Sequence, residues 1–179
     1  MTDGTTPTWQ AVDHAWRDQA TWSKVASGRK QSLQRWRFLA ATGGVAGAIL
    51  ETGAAGLPEG GLRTTLAIVG GLILVAVSVV VGSKLSTGQV REWAEARSAS
   101  EALKTEIFKF LAGARPYGPE RNAEALANRA REIEEKIQNL NVDAANVQVT
   151  PTERLNRPIS AAEYIAQRVN DQAEWFRRK

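Results

Sequence analysis

Cysteine is absent from this 179-residue chain, which excludes disulfides and thiolate chemistry. Histidine occurs once, at His14, with no second ligand at metal-binding spacing, so it reads as a polar residue on the first helix. The short patterns that cradle phosphates, bind catalytic zinc or expose a nucleophilic serine (GxGxxG, the P-loop, HExxH, GxSxG) are all missing. The acidic cluster Glu132, Glu134 and Glu135 has the spacing of a solvated helix face. No catalytic residue, metal ligand or cofactor is therefore assigned, and the expectation is a protein that is not an enzyme. Residues 1–7 are polar and lack the apolar core of a signal peptide.

Long uncharged runs, by contrast, are present. Residues 64–83 are twenty positions without a charge, enough to cross a hydrocarbon core of ~30 Å at ~1.5 Å per residue. Residues 38–57 form a second run of the same length that carries Glu51. Pro58-Glu59-Gly60-Gly61 between them has turn composition. The expectation is an all-α protein built on a transmembrane hairpin, about 38–57 and 64–83. The alternative is the buried centre of a soluble helical domain; residues 66–81, apolar all round, argue against it. The slightly negative mean hydropathy of −0.30 fits a chain with only about a quarter of its length in lipid.

Charge gives the hairpin a direction. Residues 1–37 carry six Lys/Arg against three Asp, and residues 84–118 six Lys/Arg against four Glu. By the positive-inside rule both flanks are cytoplasmic and the Pro58 turn faces out. Arg29, Lys30, Arg35 and Arg37 stand just before the first span, where they fit topology and anionic headgroups better than nucleic acid. Trp36 and Phe38 fit an interfacial aromatic belt.

The two spans differ. The first holds a GxxxG pair, Gly43 and Gly47, which lets helix backbones approach closely; its partner is either the second span or another subunit. Glu51 lies either in the outer third of the bilayer or among headgroups, with Arg63 its natural partner and Thr52 beside it. The second span is plainer, with Gly70-Gly71 at its middle.

Helices are expected on both sides. Thr6-Pro7 opens a helix over about 7–37, with a stripe of Trp9, Val12, Trp16, Trp22, Val25 and Leu33. A second helix, about 86–112, carries Val90, Trp93, Ala96, Ser100, Leu103, Ile107 and Phe110, with Glu101 and Lys104 at a salt-bridging offset, and stops at Gly113 before Pro116. A third, about 119–139, opens at Gly118-Pro119 and carries Ala123, Leu126, Ala130, Ile133, Ile137 and Leu140. Residues 141–159 read as a long connection, with a capping-box pattern at Thr150-Pro151-Thr152-Glu153. A better capping box, Ser160 to Glu163, opens a last helix over about 160–178. The organisation is thus a cytoplasmic amphipathic helix (1–37), a hairpin (38–83) and a cytoplasmic helical region (84–179). The basic cluster Arg177-Arg178-Lys179 after an aromatic pair is the kind of flank that precedes a further span.

Several runs carry a family likeness: Gln34-Arg35-Trp36-Arg37 before a Gly/Ala-rich span; Arg97-x-x-Ser100-Glu101-x-Leu103-Lys104-x-Glu106-x-Phe108-x-Phe110; Pro116-Tyr117; and Tyr164-Ile165-x-x-Arg168-Val169-x-x-Gln172-x-x-Trp175. Together they resemble the bacterial membrane family catalogued as domain of unknown function 4231, which is similar to the SLATT two-span effector domains. The resemblance implies an inner-membrane protein with cytoplasmic termini, a homo-oligomer that permeabilises or conducts across the membrane under control of its cytoplasmic helices, and a cytosolic signalling partner. Many relatives carry a second pair of spans after the last helix. Arg97, Glu101, Lys104, Tyr117, Arg168 and Gln172 match the pattern, in either a signalling or a structural role. The alternative function is a membrane-anchored helical interaction module, with the Trp-rich first helix and the Tyr164–Trp175 helix as its surfaces.

Overall fold

The computed structural model describes residues 7–149, 157–170, 173, 174 and 177. Among these the secondary structure is helical: α1 (Pro7–Ala55), α2 (Gly61–Lys84), α3 (Thr87–Leu111), α4 (Ala123–Glu135), a 3-10 turn (Gln138–Leu140), α5 (Asn141–Ala145), and α6 (Ala161–Tyr164) running into a π-helical stretch (Ile165–Asn170). The chain divides into two compact units, one of residues Ala26–Ala94 and one of Met1–Val25 with Glu95–Lys179.

The first helix corrects the expected boundary at Arg37. The amphipathic segment and the first span are one helix of 49 residues. Hydropathy changes sharply at Phe38, but nothing there interrupts the backbone: no proline lies between Pro7 and Pro58, and Gly28 alone is a small cost to a long helix. Pro7 begins α1 as its first residue; Thr6 lies outside the described residues.

In the Ala26–Ala94 unit, α1 and α2 form an antiparallel hairpin joined at residues 56–60. A Cβ added to Gly43 would stand 2.8 Å from Val77 Cγ2, and one on Gly47 would stand 2.8 Å from Leu74 Cδ2 and 3.2 Å from the Gly70 carbonyl oxygen. A Cβ on Gly70 would meet the Gly47 carbonyl oxygen at 3.1 Å and Leu50 Cβ at 3.2 Å. The two backbones therefore pass in near contact at Gly47 and Gly70, an approach only glycine permits. The partner of the Gly43/Gly47 face is thus the second span of the same chain. The same antiparallel register continues past α2, where Arg29 of α1 pairs with Glu92 of α3.

The other unit is an inward-facing helical core. Val12, Ala15 and Trp16 of α1 pack with Ile107, Phe108, Phe110 and Leu111 of α3, Tyr117, Leu126 of α4 and Ile159. Trp16 meets Phe108 edge-on at 5.8 Å, Phe108 meets Tyr164 at 6.0 Å, and Phe110 meets Tyr117 at 5.4 Å. The expected stripes are the buried ones: Trp22 and Val25 on α1; Ala96, Ser100 and Leu103 on α3; and Ala130, Ile133, Ile137 and Leu140 after them. Trp16 and Trp22 are core residues at 1 % and 2 % exposure, which overturns their reading as a docking surface; the apolar area of an indole is best removed from water inside the fold.

Local signals explain most boundaries. Gly113, at φ +64°, ends α3 with Gly113 N–H bonded to Phe110 O (3.0 Å) and Ala114 N–H to Lys109 O (2.9 Å), the paired bonds of a glycine-terminated helix. The α4 start is later than expected. Gly118 and Arg121 take positive φ, which a right-handed helix excludes, so the helix waits for Asn122, whose side chain accepts from Ala125 N–H at 3.1 Å. The connection expected over 141–159 contains α5. The capping box at α6 is reciprocal: Ser160 N–H donates to Glu163 at 2.9 Å and Glu163 N–H donates to Ser160 Oγ at 3.2 Å. Arg157 and the Ser160 N–H hold the Glu163 carboxyl down to about 2. The capping-box pattern at residues 150–153 lies outside the described residues.

Candidate functional site

The stretches Trp9–Ala55 and Gly61–Leu111 each contain a segment long and apolar enough to cross a membrane. Their apolar side chains point away from the protein: Phe38 is 69 % exposed, Ile49 65 %, Leu72 64 % and Val79 64 %. A surface this apolar matches lipid or another protein face better than water. The soluble-core alternative requires these side chains to be buried, and they are not.

Glu51 sits on the α2-facing side of α1. Its Cγ lies 3.1 Å from the Cβ position of Gly70, and its Oε1 lies 3.3 Å from that of Gly71. The side chain is half-buried, resting on the backbone that the two glycines leave bare. Arg63 does not partner it. The register that sets Gly47 against Leu74 and Glu51 against Gly70 puts Arg63 seven residues nearer the turn, about 10 Å along the helix. Arg63 is exposed in the first turns of α2, and Glu51 and Arg63 make no ion pair with each other. Thr52 is exposed, and its hydroxyl donates to the Ala48 carbonyl at 2.8 Å within its own helix. The membrane candidates therefore separate: Glu51 stands at the glycine contact, while Arg63 and Thr52 lie elsewhere on the surface.

The family-pattern residues outside the hairpin are likewise dispersed. Arg97 and Glu101 form a pair at 2.6 Å along α3. Lys104 is half-buried on the same helix. Tyr117 is buried, and its hydroxyl donates to Glu106 at 2.7 Å. Arg168 belongs to the π-helical stretch, and its side chain and the whole of Gln172 lie outside the described residues.

Glu106 belongs to the Arg97–Phe110 run but not to the residues singled out from it as site candidates. It is 8 % exposed and accepts from Tyr117 and from Lys109 Nζ at 2.8 Å. Burial alone would raise its pKa, but the hydrogen bonds from Lys109 and Tyr117, with the charges of Lys109 and Arg129, outweigh it and hold the carboxylate ionised. Burial and the neighbouring Glu106 push the Tyr117 phenol well above its ordinary value. The sequence signal was available: Glu106 stands between Leu103 and Phe110 on the apolar stripe, where a charge requires a partner.

Two further polar contacts lie in the same unit. Gln19 Nε2 donates to the buried Ser100 Oγ at 3.0 Å. Trp22 Nε1 donates to Glu134 Oε1 at 3.2 Å. Glu134 is thus a half-buried acceptor rather than part of a solvated face, and burial, with the charge of Asp18, raises its pKa against the Trp22 bond. It lines a cleft of about 530 Å3 between α1 and α4 with His14, Asp18 and Arg131 on the rim and Ala11 and Ala15 on the floor. His14 is exposed and bonded to Asp18 at 3.0 Å.

No curated protein and no solved structure matches the chain. The stretch that holds the hairpin, Glu51, Glu106 and Tyr117 does match a family: residues 20–125, more than half of the length, match the one described as "Protein of unknown function (DUF4231)", and the chain belongs to that family.

Proposed function

We propose that the chain is an integral protein of the bacterial inner membrane, with its termini cytoplasmic, that acts without enzymatic chemistry as a homo-oligomeric effector or channel. Its hairpin conducts or permeabilises, and the helices of the other unit set when it does so. The observation that carries this reading is Glu51. A carboxylate on an apolar helix, resting on Gly70-Gly71 without an ion pair to Arg63, is costly in lipid unless it serves permeation or assembly. Resemblance to the SLATT effectors supports the same reading, and the cytoplasmic pattern residues are then its regulatory contacts.

The test is ion flux through the purified full chain in liposomes. The wild-type protein is expected to dissipate an imposed ion gradient, and Glu51→Gln to change the rate about tenfold or more. A silent wild-type protein, or Glu51→Gln and Glu51→Leu variants that behave identically to it, sinks the reading. The second reading is a membrane anchor that presents a helical platform to a cytosolic partner, favoured by the α1–α4 cleft with its acidic and basic rim. It predicts bilayers without flux.

A further inference from the structure

The Ala26–Ala94 unit is strongly asymmetric in charge. Its end remote from the turn, residues 26–37 and 84–94, carries six cations (Arg29, Lys30, Arg35, Arg37, Lys84 and Arg91) against the one carboxylate Glu92, a net charge of +5. Its turn end carries Glu59 and Arg63, which balance. The single acid at the basic end is engaged by Arg29. Lys30, Arg35, Arg37 and Lys84 are exposed, and among the described residues none of the four makes an ion pair.

The hairpin register brings these cations together. Gly43 lies against Val77, Gly47 against Leu74, and Arg29 against Glu92. Extending that register sets Arg37 of α1 level with Lys84 at the end of α2, so the cluster spans both helices. Along α1, Lys30 to Arg37 covers about 10 Å, comparable to the headgroup zone on one side of a bilayer. The exposed apolar surface begins at the next residue, Phe38. Trp36, between Arg35 and Arg37, is half-buried at the same level. A free polyanion would meet the cations but find apolar surface beside them. A phospholipid matches both, phosphate on the cations and acyl chains on Phe38, Leu39 and their neighbours.

We propose that Lys30, Arg35, Arg37 and Lys84 form a collar that binds anionic phospholipid headgroups at the end of the hairpin remote from its turn. The collar rests on the membrane-spanning reading of the hairpin but not on channel activity. Arg29 is excluded from it because Glu92 already holds that guanidinium.

Native mass spectrometry of the full chain, from micelles with equal phosphatidylglycerol and phosphatidylcholine, tests the collar. The wild-type protein is expected to retain phosphatidylglycerol at least tenfold over phosphatidylcholine. Each neutralised cation should lower that preference roughly fivefold, so that the K30Q/R35Q/R37Q/K84Q variant loses it. The R63Q variant at the turn end should keep it, and millimolar inorganic phosphate should not displace the lipid. Equal retention of the two lipids by the wild-type protein overturns the proposal without any variant having to fold. An undiminished preference in the quadruple variant overturns it too, as does displacement by phosphate, which would mark a free-anion site. Co-flotation with pure phosphatidylcholine vesicles separates the underlying reading: a chain that does not co-float is not membrane-spanning, whereas one that inserts without preferring the anionic lipid lacks only the collar.

Discussion

The two units of this chain bury opposite things. In residues 26–94 the large apolar side chains point outward, and helix contact is made by Gly43, Gly47 and Gly70. In the other unit Trp16, Phe110, Leu103 and Ile107 point inward at 1 % exposure or less, and the surface is left to charged residues such as Arg97 and Glu132. One chain thus follows two packing rules. Where the hydrophobic effect operates between helices, bulk is placed at the contact. Where the surroundings are as apolar as the side chains, bulk gains nothing there, and close backbone approach takes over. The contrast also bears on polar groups. Glu106 in the inward-packed unit has two hydrogen-bond donors, whereas Glu51 in the hairpin has a bare glycine backbone beneath it and no ion pair with Arg63.

The largest expected effect tests whether the rule really reverses. Trp16→Ala should destabilise the protein by about 3–5 kcal/mol, because it empties a fully buried site. Phe38→Ala removes a ring that is 69 % exposed and should leave the thermal midpoint in detergent close to wild type. Thermal unfolding followed by circular dichroism compares them, and equal losses would abolish the distinction between the units.

A smaller effect sharpens the glycine side of the comparison. Gly47→Leu sets a side chain against Leu74 and the Gly70 carbonyl and should cost about 1–3 kcal/mol, whereas nothing lies within 4 Å of a Cβ on Gly44, so Gly44→Leu should be tolerated. Because the chain has no native cysteine, a cysteine pair introduced at Ala40 and Val80 reports hairpin closure directly through its cross-linking yield. The Gly47 variant should cross-link less than the Gly44 variant.

The smallest effect concerns the polar groups at the cleft of the inward-packed unit. Burial raises the folded-state pKa of Glu134 above its ordinary 4.5. The fold therefore favours the protonated acid. This contribution is fully present below about pH 4.5 and is lost as pH rises through the raised value. Glu134→Gln keeps an acceptor for Trp22 Nε1 and removes the charge, so it should melt slightly above wild type at pH 7, with the difference closing as pH falls to 4. A variant that melts below wild type at pH 7 would show that the Trp22 bond needs the carboxylate.

Much of this was legible in the order of residues. The spacing of Val12 to Trp16 and of Trp22 to Val25, or of Ala96, Ser100, Leu103, Ile107 and Phe110, by threes and fours identifies the buried faces because a helix turns every 3.6 residues, whatever surrounds it. Gly113 and the Ser160 to Glu163 capping box mark helix ends because their bonds are local. The length and apolarity of residues 64–83 likewise needed no neighbour to be recognised. Other features only the tertiary structure decided. Hydropathy changes at Arg37 and Phe38 without a break in helical hydrogen bonding, so α1 runs on where the pattern invited a boundary. A small-residue face suits any closely approaching helix, and only packing chose α2 for Gly43 and Gly47. The same register moved Glu51 away from Arg63, brought Arg37 level with Lys84, and so decided which charges of the hairpin can act together. Periodicity and capping are short-range properties carried by neighbours in the chain; which helix a glycine face meets, and at what register, is a property of distant residues that no local pattern contains.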